Sequence, residues 1–262
     1  MKAALKIGAA AAGAALALGT AGSAYAATSG TTHATSAAST TSAASTAAKG
    51  KAASTQAQSQ KQSQTRLATE KHLVTARIQG RLSTLHALSL AVADSKYLTS
   101  AEQSTLTKQI SSDTSGLTAL EKKVAGETTV QAVRADEVAM VDDFRVYLLM
   151  APQVRLTEAL AAESDAASTL QKADTALSDL LTKQSGGGTS EQRTELADLQ
   201  SDITAAQAAI GNEVATILAI QPGPNAGAID SALAPAASAV KTAHADLLKA
   251  RDDAKALRGS LS

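Results

Sequence analysis

Histidine is the side chain that most often serves metal binding and proton transfer near neutral pH, and the 262-residue chain holds four. His33 lies in a segment without large apolar residues, and His244 has no metal-binding motif around it. His72 and His86 are separated by roughly 21 Å along a helix, which is too far to share one ion. The chain also has no cysteine to complete a zinc set. We therefore predict surface or partly packed histidines, and neither a metal nor another cofactor.

Acidic doublets are the second candidate for chemistry, because paired carboxylates can transfer protons or bind hard cations. They occur at Asp136-Glu137, Asp142-Asp143 and Asp252-Asp253. Adjacent helical residues diverge by about 100°, so a doublet does not converge on one atom. Solvated helix faces are the simpler interpretation, with i,i+3 ion pairs expected for Asp142–Arg145 and Arg155–Glu158.

The other patterns that support catalysis are missing from the sequence. No serine lies in a nucleophile elbow, and no acid and base are spaced for a triad. Gly186-Gly187-Gly188 lacks the lysine and hydroxyl residue of a phosphate-binding loop, so it is interpreted as a linker. We predict that the protein is not an enzyme.

The run 142–156 is the most distinctive stretch, because it is apolar nearly all round and includes two aromatic residues and Pro152. One interpretation is core packing where two groups of helices meet. The other is a recognition patch for an envelope partner, in which Tyr147 and the arginines at 145 and 155 supply the polar contacts. The residues of this predicted interaction patch are Phe144, Arg145, Tyr147 and Arg155.

Composition favours helices over sheets. Aromatic residues make up 2% of the chain, and much of the 44% hydrophobic content is alanine. Such residues suit helices packed side by side rather than a deep ligand cavity, and no β-branched run alternates with period two. Residues 66–262 hold 19 basic and 24 acidic side chains, which is a poor match for nucleic acid.

The N-terminal region predicts export. Residues 1–26 combine Lys2 and Lys6, a 13-residue apolar run and a small-x-small cleavage site ending at Ala26. They are interpreted as a signal peptide, so the mature protein is expected to have no stable membrane anchor. Residues 27–65 are rich in Ala, Ser and Thr and are predicted to be a disordered linker, with O-glycosylation as an open alternative.

The remaining chain shows apolar residues at three- and four-residue steps in five segments, namely 66–94, 99–126, 128–184, 190–220 and 227–257. The last follows a heptad rhythm typical of a coiled-coil seam. We predict an all-α fold: an elongated antiparallel bundle or coiled coil with two three-helix packings, 66–152 and 153–262. These share a long helix kinked at Pro152, because proline removes a helical hydrogen bond. A folded-back bundle of five or six helices is the alternative.

Several stretches resemble a group of uncharacterised secreted α-helical proteins of actinobacteria. The resemblance spans about 97–257 and rests on Tyr97-Leu98-Thr99, Gly116 to Leu120, Phe144 to Tyr147, Pro152 to Leu156 and Ala245 to Asp253. It implies a secreted helical protein with no assigned activity, and it transfers no site residues.

Two functions follow as hypotheses. The first is a non-catalytic protein, secreted or held non-covalently at the cell wall, which acts by interaction or scaffolding at the envelope. Its partners would be an envelope protein, a wall polymer or, through the helix seams, another copy of itself. The second is an extracytoplasmic helical protein that binds a small ligand or a cation and opens at Pro152.

Overall fold

A computed structural model of the protein describes residues 45–184 and 186–261. The predicted signal peptide, 1–26, and residues 27–44 of the predicted linker lie outside the described residues. The chain divides into two compact units, Met1–Lys51 and Ala52–Ser262, and the helices discussed below belong to the second unit except for the first residues of α1.

Every regular element among the described residues is helical, so the predicted all-α helical bundle is confirmed. A five-residue π-helical turn, Val146–Met150, precedes α4. The helices are α1 (Ser45–Asp94), α2 (Ser100–Gly126), α3 (Val130–Asp142), α4 (Ala151–Lys183), α5 (Ser190–Ile210), α6 (Glu213–Leu218) and α7 (Ala226–Ser260).

Buried apolar side chains form cores in two groups of helices. The first group, α1, α2 and α3, encloses aliphatic side chains such as Ile78, Leu117 and Met140. The second group, α4 to α7, encloses an alanine-rich core that includes Leu160 and Ala236, and a smaller cluster continues it toward Leu257. The two groups meet at the π-helical turn and the beginning of α4, where Val146, Val154 and Ala161 belong to the first core and Leu149 and Leu160 to the second.

The start of α1 corrects the linker prediction. The helix begins at Ser45, so residues 45–65 are helical rather than disordered, and residues 54–66 are exposed. Alanine, glutamine and lysine favour helix, and hydroxyl side chains need not break it when they bond backward. Here the Ser63 and Thr65 hydroxyls donate to the carbonyls four residues earlier, at 3.0 and 2.9 Å.

Helix starts agree closely with the capping pattern in the sequence. The backbone N–H of Thr99 donates to Glu102 Oε2 at 2.7 Å, and the Glu102 N–H donates to the Thr99 hydroxyl, which completes a capping box. Thr189 and Gln192 form a second box at the start of α5. Helix α2 ends at Gly126, as predicted, although Glu127 beyond it is extended.

Two predicted segments are interrupted. Gly211 divides the fourth segment into α5 and α6 at φ 39° and ψ −123°, a backbone conformation that suits glycine because it lacks Cβ. The third segment breaks at residues 143–145, ahead of Pro152, which lies in the first turn of α4 where its missing N–H costs little. Pro235, in contrast, lies inside α7 without ending it.

Alanine sets the spacing of the second group. Cα atoms of α5 and α7 come within 8 Å of each other, and α4 approaches both helices as closely. Fully buried alanines lie between these backbones, because only a small side chain fits where helices approach this closely. They are Ala206 of α5 and Ala236, Ala243 and Ala250 of α7.

Candidate functional site at the junction of the two helical groups

The connection between α3 and α4 contains the one non-glycine residue with positive φ in the described part of the chain. Arg145 adopts φ 43° and ψ 37°, the left-handed region. This conformation costs a residue with Cβ roughly 1–2 kcal/mol. The π-helical turn follows at once, and the Arg145 carbonyl accepts from the amides of Leu149 and Met150 at 2.7 and 3.4 Å. Such strain marks a position that surrounding contacts hold in place.

The side chain of Arg145 supplies those contacts. Its Nε donates to the carbonyl of Gly223 at 2.8 Å, and Nη2 donates to the carbonyl of Pro224 and to Asp142 Oδ1, both at 2.7 Å. Only 10% of the side chain is exposed, so these charge-assisted bonds are largely shielded from water. Arg145 therefore ties the α3–α4 connection to the loop between α6 and α7.

Two glutamines secure the end of α6 that precedes the same loop. Gln153 of α4 is 1% exposed, and its Nε2 donates to the carbonyls of Ile217 and Ile220 at 2.6 and 3.2 Å. Gln109 of α2 donates to the carbonyl of Leu218 at 3.0 Å. The last carbonyls of a helix lack partners within it, so these side chains cap α6 from both groups of helices.

The four residues of the predicted interaction patch have different surroundings. Phe144 is half-buried, and its ring packs so tightly on Gly116 of α2 that a Cβ there would lie 2.4 Å from it. Arg145 faces inward, as described above. Tyr147 is 54% exposed beside Arg81, whose guanidinium carbon lies 5.1 Å from the ring centre. Arg155 is exposed, and the Arg155–Glu158 pair is not formed among the described residues.

Asp136 corrects the interpretation of the acidic doublets as solvated faces. It is 2% exposed, and Oδ1 accepts from Lys123 Nζ at 2.6 Å, while the buried Oδ2 has no partner within the described region. A buried carboxylate requires such a cation, because burial penalises the charged form. Its neighbour Glu137 pairs with Arg77 of α1, so this doublet connects all three helices of the first group.

The Asp252-Asp253 doublet borders an open cleft between α5 and α7. The cleft has a volume of about 420 Å³ and is lined by Asp198, Ser201, Asp202, Lys249, Asp252 and Asp253. Asp252 pairs with Arg251 and Lys255. Partial burial and the neighbouring carboxylates, Asp202 foremost, raise the pKa of Asp253. No group of three or more ligand side chains suited to a metal ion occurs among the described residues.

The histidines within the described ranges do not converge on each other. His72 and His86 are exposed on α1, and His244 of α7 lies 3.0 Å from Glu163 of α4 through Nδ1. His33 lies outside the described residues. Among those residues, none of the helices combines the length and apolar character needed to span a bilayer.

Asp113 of α2 should make stability depend on pH. Partial burial raises its pKa from the ordinary 3.8 to about 6, so the folded protein binds this proton more tightly than the unfolded chain. Stability should therefore fall as the pH rises through about 4 to 7. Asp113→Asn should remove that part of the slope and stabilise the fold at pH 7.5 by about 1 kcal/mol, after allowance for solvent screening.

Urea unfolding at a series of pH values measures the effect of Asp113→Asn. Asp165→Asn, at an exposed position of α4, serves as the control and should keep the wild-type slope. An identical pH profile for Asp113→Asn and wild type would contradict the prediction.

No family model, curated protein or solved structure matches this chain. Arg145, Gln109 and Gln153 donate to backbone carbonyls of other elements, an arrangement that positions helices, while Gln109 Oε1 has no partner in the described region. Sequence reasoning missed Gln109 and Gln153, although Gln153 stands as a lone amide inside an apolar run, which is a recognisable indication of a buried hydrogen bond.

Proposed function

We propose that the protein is exported and acts without catalysis, by interaction or scaffolding at the cell envelope. In this proposal it is secreted or held non-covalently at the wall. We also propose that the protein is related to the secreted helical proteins of actinobacteria that it resembles.

The observation that carries the proposal is the exposed N-terminal part of α1. The Lys71 ammonium donates to the carbonyl of Ala125 at 2.7 Å, so the end of α2 lies beside Lys71. Helix α1 extends from there back to Ser45, and residues 54–66 are exposed. Residues 54–66 therefore form an exposed polar stretch of helix, which suits contact with other molecules rather than burial in a core.

The buried polar side chains support a binding role over a catalytic one. Gln153 caps α6, Gln192 belongs to the capping box of α5, and Asp136 forms its pair with Lys123. Each of these three side chains makes a hydrogen bond that holds helices in place, while Asp136 Oδ2 and the buried Thr157 hydroxyl have no partner in the described region. Contact with a partner would therefore use exposed residues, and Tyr147 and Arg155 are the exposed members of the predicted interaction patch.

Fractionation of bacterial cells that produce the full chain tests export and wall association together. We expect a product that begins at Ala27, present in the medium and in a wall fraction that concentrated salt releases. Replacing Ala24 and Ala26 by Leu should block this processing, because the cleavage site needs small residues. A product that retains Met1 and stays in the cytoplasm would refute export.

Binding of the purified protein to isolated cell walls tests the interaction itself. The double variant Tyr147→Ala/Arg155→Ala should reduce the co-sedimenting fraction without loss of helicity. Lys172→Ala/Leu180→Ala removes an exposed cation and an exposed apolar side chain elsewhere on α4, and it should bind as the wild type does. Absence of wall binding in the wild type would refute wall association.

Cation binding is the second candidate. It would have to draw together the carboxylates of the cleft between α5 and α7, which form no ligand group of three or more among the described residues. Partial burial raises the pKa of Asp253 first, and the carboxylates of Asp202 and Asp198 raise it further; a divalent cation would relieve this second effect. Isothermal titration with Ca²⁺ or Mg²⁺ should then show binding that Asp202→Asn/Asp253→Asn abolishes. No heat of binding at millimolar cation would exclude this candidate.

A further inference from the structure

The connection between α3 and α4 holds a conflict between local sequence and tertiary structure. Residues 130–151 contain neither glycine nor proline, and their apolar pattern predicts an unbroken helix as far as Pro152. The helix nevertheless ends at Asp142, and residue 145 takes the left-handed conformation. Nothing in the local sequence requires a break at this point.

The break leaves backbone amides without their helical hydrogen bonds. A helix that continued through this region would bond the amides of Tyr147 and Leu148 to the carbonyls of Asp143 and Phe144. Neither bond is present in the described part of the chain. The bond from the Phe144 amide to the Met140 carbonyl is absent from this stretch too, so the break forfeits these three helical hydrogen bonds and places a residue with Cβ in a disfavoured region.

The compensation comes from one side chain. The Arg145 guanidinium binds the carbonyls of Gly223 and Pro224, and Asp142 completes its hydrogen bonding. These contacts require the left-handed backbone, because a helical residue 145 would direct its side chain elsewhere. Arg145 thus has both the strained backbone and the side-chain contacts that stabilise it. This combination is found in elements with two discrete arrangements.

We propose that residues 143–145 form a two-state hinge between α3 and α4. In the state observed here, Arg145 is left-handed and binds the loop between α6 and α7. In the second state Arg145 is helical, α3 continues into the π-helical turn, and the loop is released. The turn and Pro152 are common to both states. A partner that binds the released loop or the continuous helix would shift the population toward the second state.

Two substitutions at the same position separate the strain from the side-chain contact. Both Arg145→Ala and Arg145→Gly remove the guanidinium. Alanine retains the penalty for the left-handed conformation, whereas glycine does not. Alanine should therefore favour the continuous helix, and glycine should keep the break.

Amide hydrogen exchange measured by NMR distinguishes the two states. In Arg145→Ala, exchange of the Tyr147 and Leu148 amides should slow by about ten-fold, in keeping with a left-handed penalty of this size. In Arg145→Gly the same amides should exchange as in the wild type. Amides of Leu199 and Ala250, in α5 and α7, report that the second group stays folded.

Equal exchange at Tyr147 and Leu148 in the two variants would overturn the hinge. So would unfolding of Arg145→Ala while Arg145→Gly stays folded, because the second state would then not be a folded one. Should both variants unfold, Asp142→Asn is the variant that tests the hinge. It weakens the bond from Arg145 Nη2 to residue 142 and leaves Arg145 itself unchanged. Slower exchange of the two amides in Asp142→Asn supports the hinge, and unchanged exchange overturns it.

Discussion

Replacing Ala243 by Leu should destabilise the protein by about 3 kcal/mol, the upper end of the usual cost of overpacking a core. Ala243 is fully buried in α7, and Cα atoms of α7 come within 8 Å of those of both α4 and α5. Three added carbon atoms have no space between these backbones. The helices would have to separate and lose the contacts of the neighbouring alanines.

Thermal unfolding followed by circular dichroism measures this loss, and we expect a fall in Tm of roughly 10 °C for a domain of this size. Ala245→Leu is the matched control, because Ala245 lies two residues away on the exposed face of the same helix. It should change stability by less than about 0.5 kcal/mol. Equal losses in the two variants would mean that close packing of α7 does not limit stability.

Replacing Gln153 by Met should cost about 2 kcal/mol, within the range for leaving a buried polar group unpaired. Methionine has nearly the same length as glutamine, so the substitution removes the amide without opening a large cavity. The carbonyl of Ile220 loses its bond from Gln153, and that of Ile217 keeps only the N–H of Ile220. The end of α6 should then exchange its amides faster than α5 or α7.

Urea unfolding gives the free-energy change, and hydrogen exchange shows where it acts. Gln131→Met, at an exposed position of α3, is the matched control and should leave both measurements unchanged. A loss of stability spread evenly over all helices, with no faster exchange at α6, would contradict a local capping role for Gln153.

Local patterns predicted much of the fold because they act over a few residues. The apolar period placed α2 and α7 to within a few residues, and the side chains of Thr99 and Thr189 begin their helices as the capping pattern indicates. The same reasoning misjudged residues 45–65. There the helix propensity of the intervening alanine and glutamine outweighs the serine and threonine content.

The candidate site depends on contacts between residues far apart in the chain. Arg145 and its carbonyl partners are separated by 78 and 79 positions, and Gln109 and Leu218 by 109. No short-range pattern encodes such pairs. The burial of Asp136 likewise follows from Lys123 reaching it from another helix.

The sequence by itself determined the helical class and the approximate bounds of α2 and α7, because both follow from the apolar period of a helix. Only the tertiary structure decided that the long third segment breaks at residues 143–145, ahead of its proline. The physical reason is that the break satisfies contacts between distant parts of the chain: Arg145 binds the carbonyls of Gly223 and Pro224, and Val146 and Leu149 pack into two different cores.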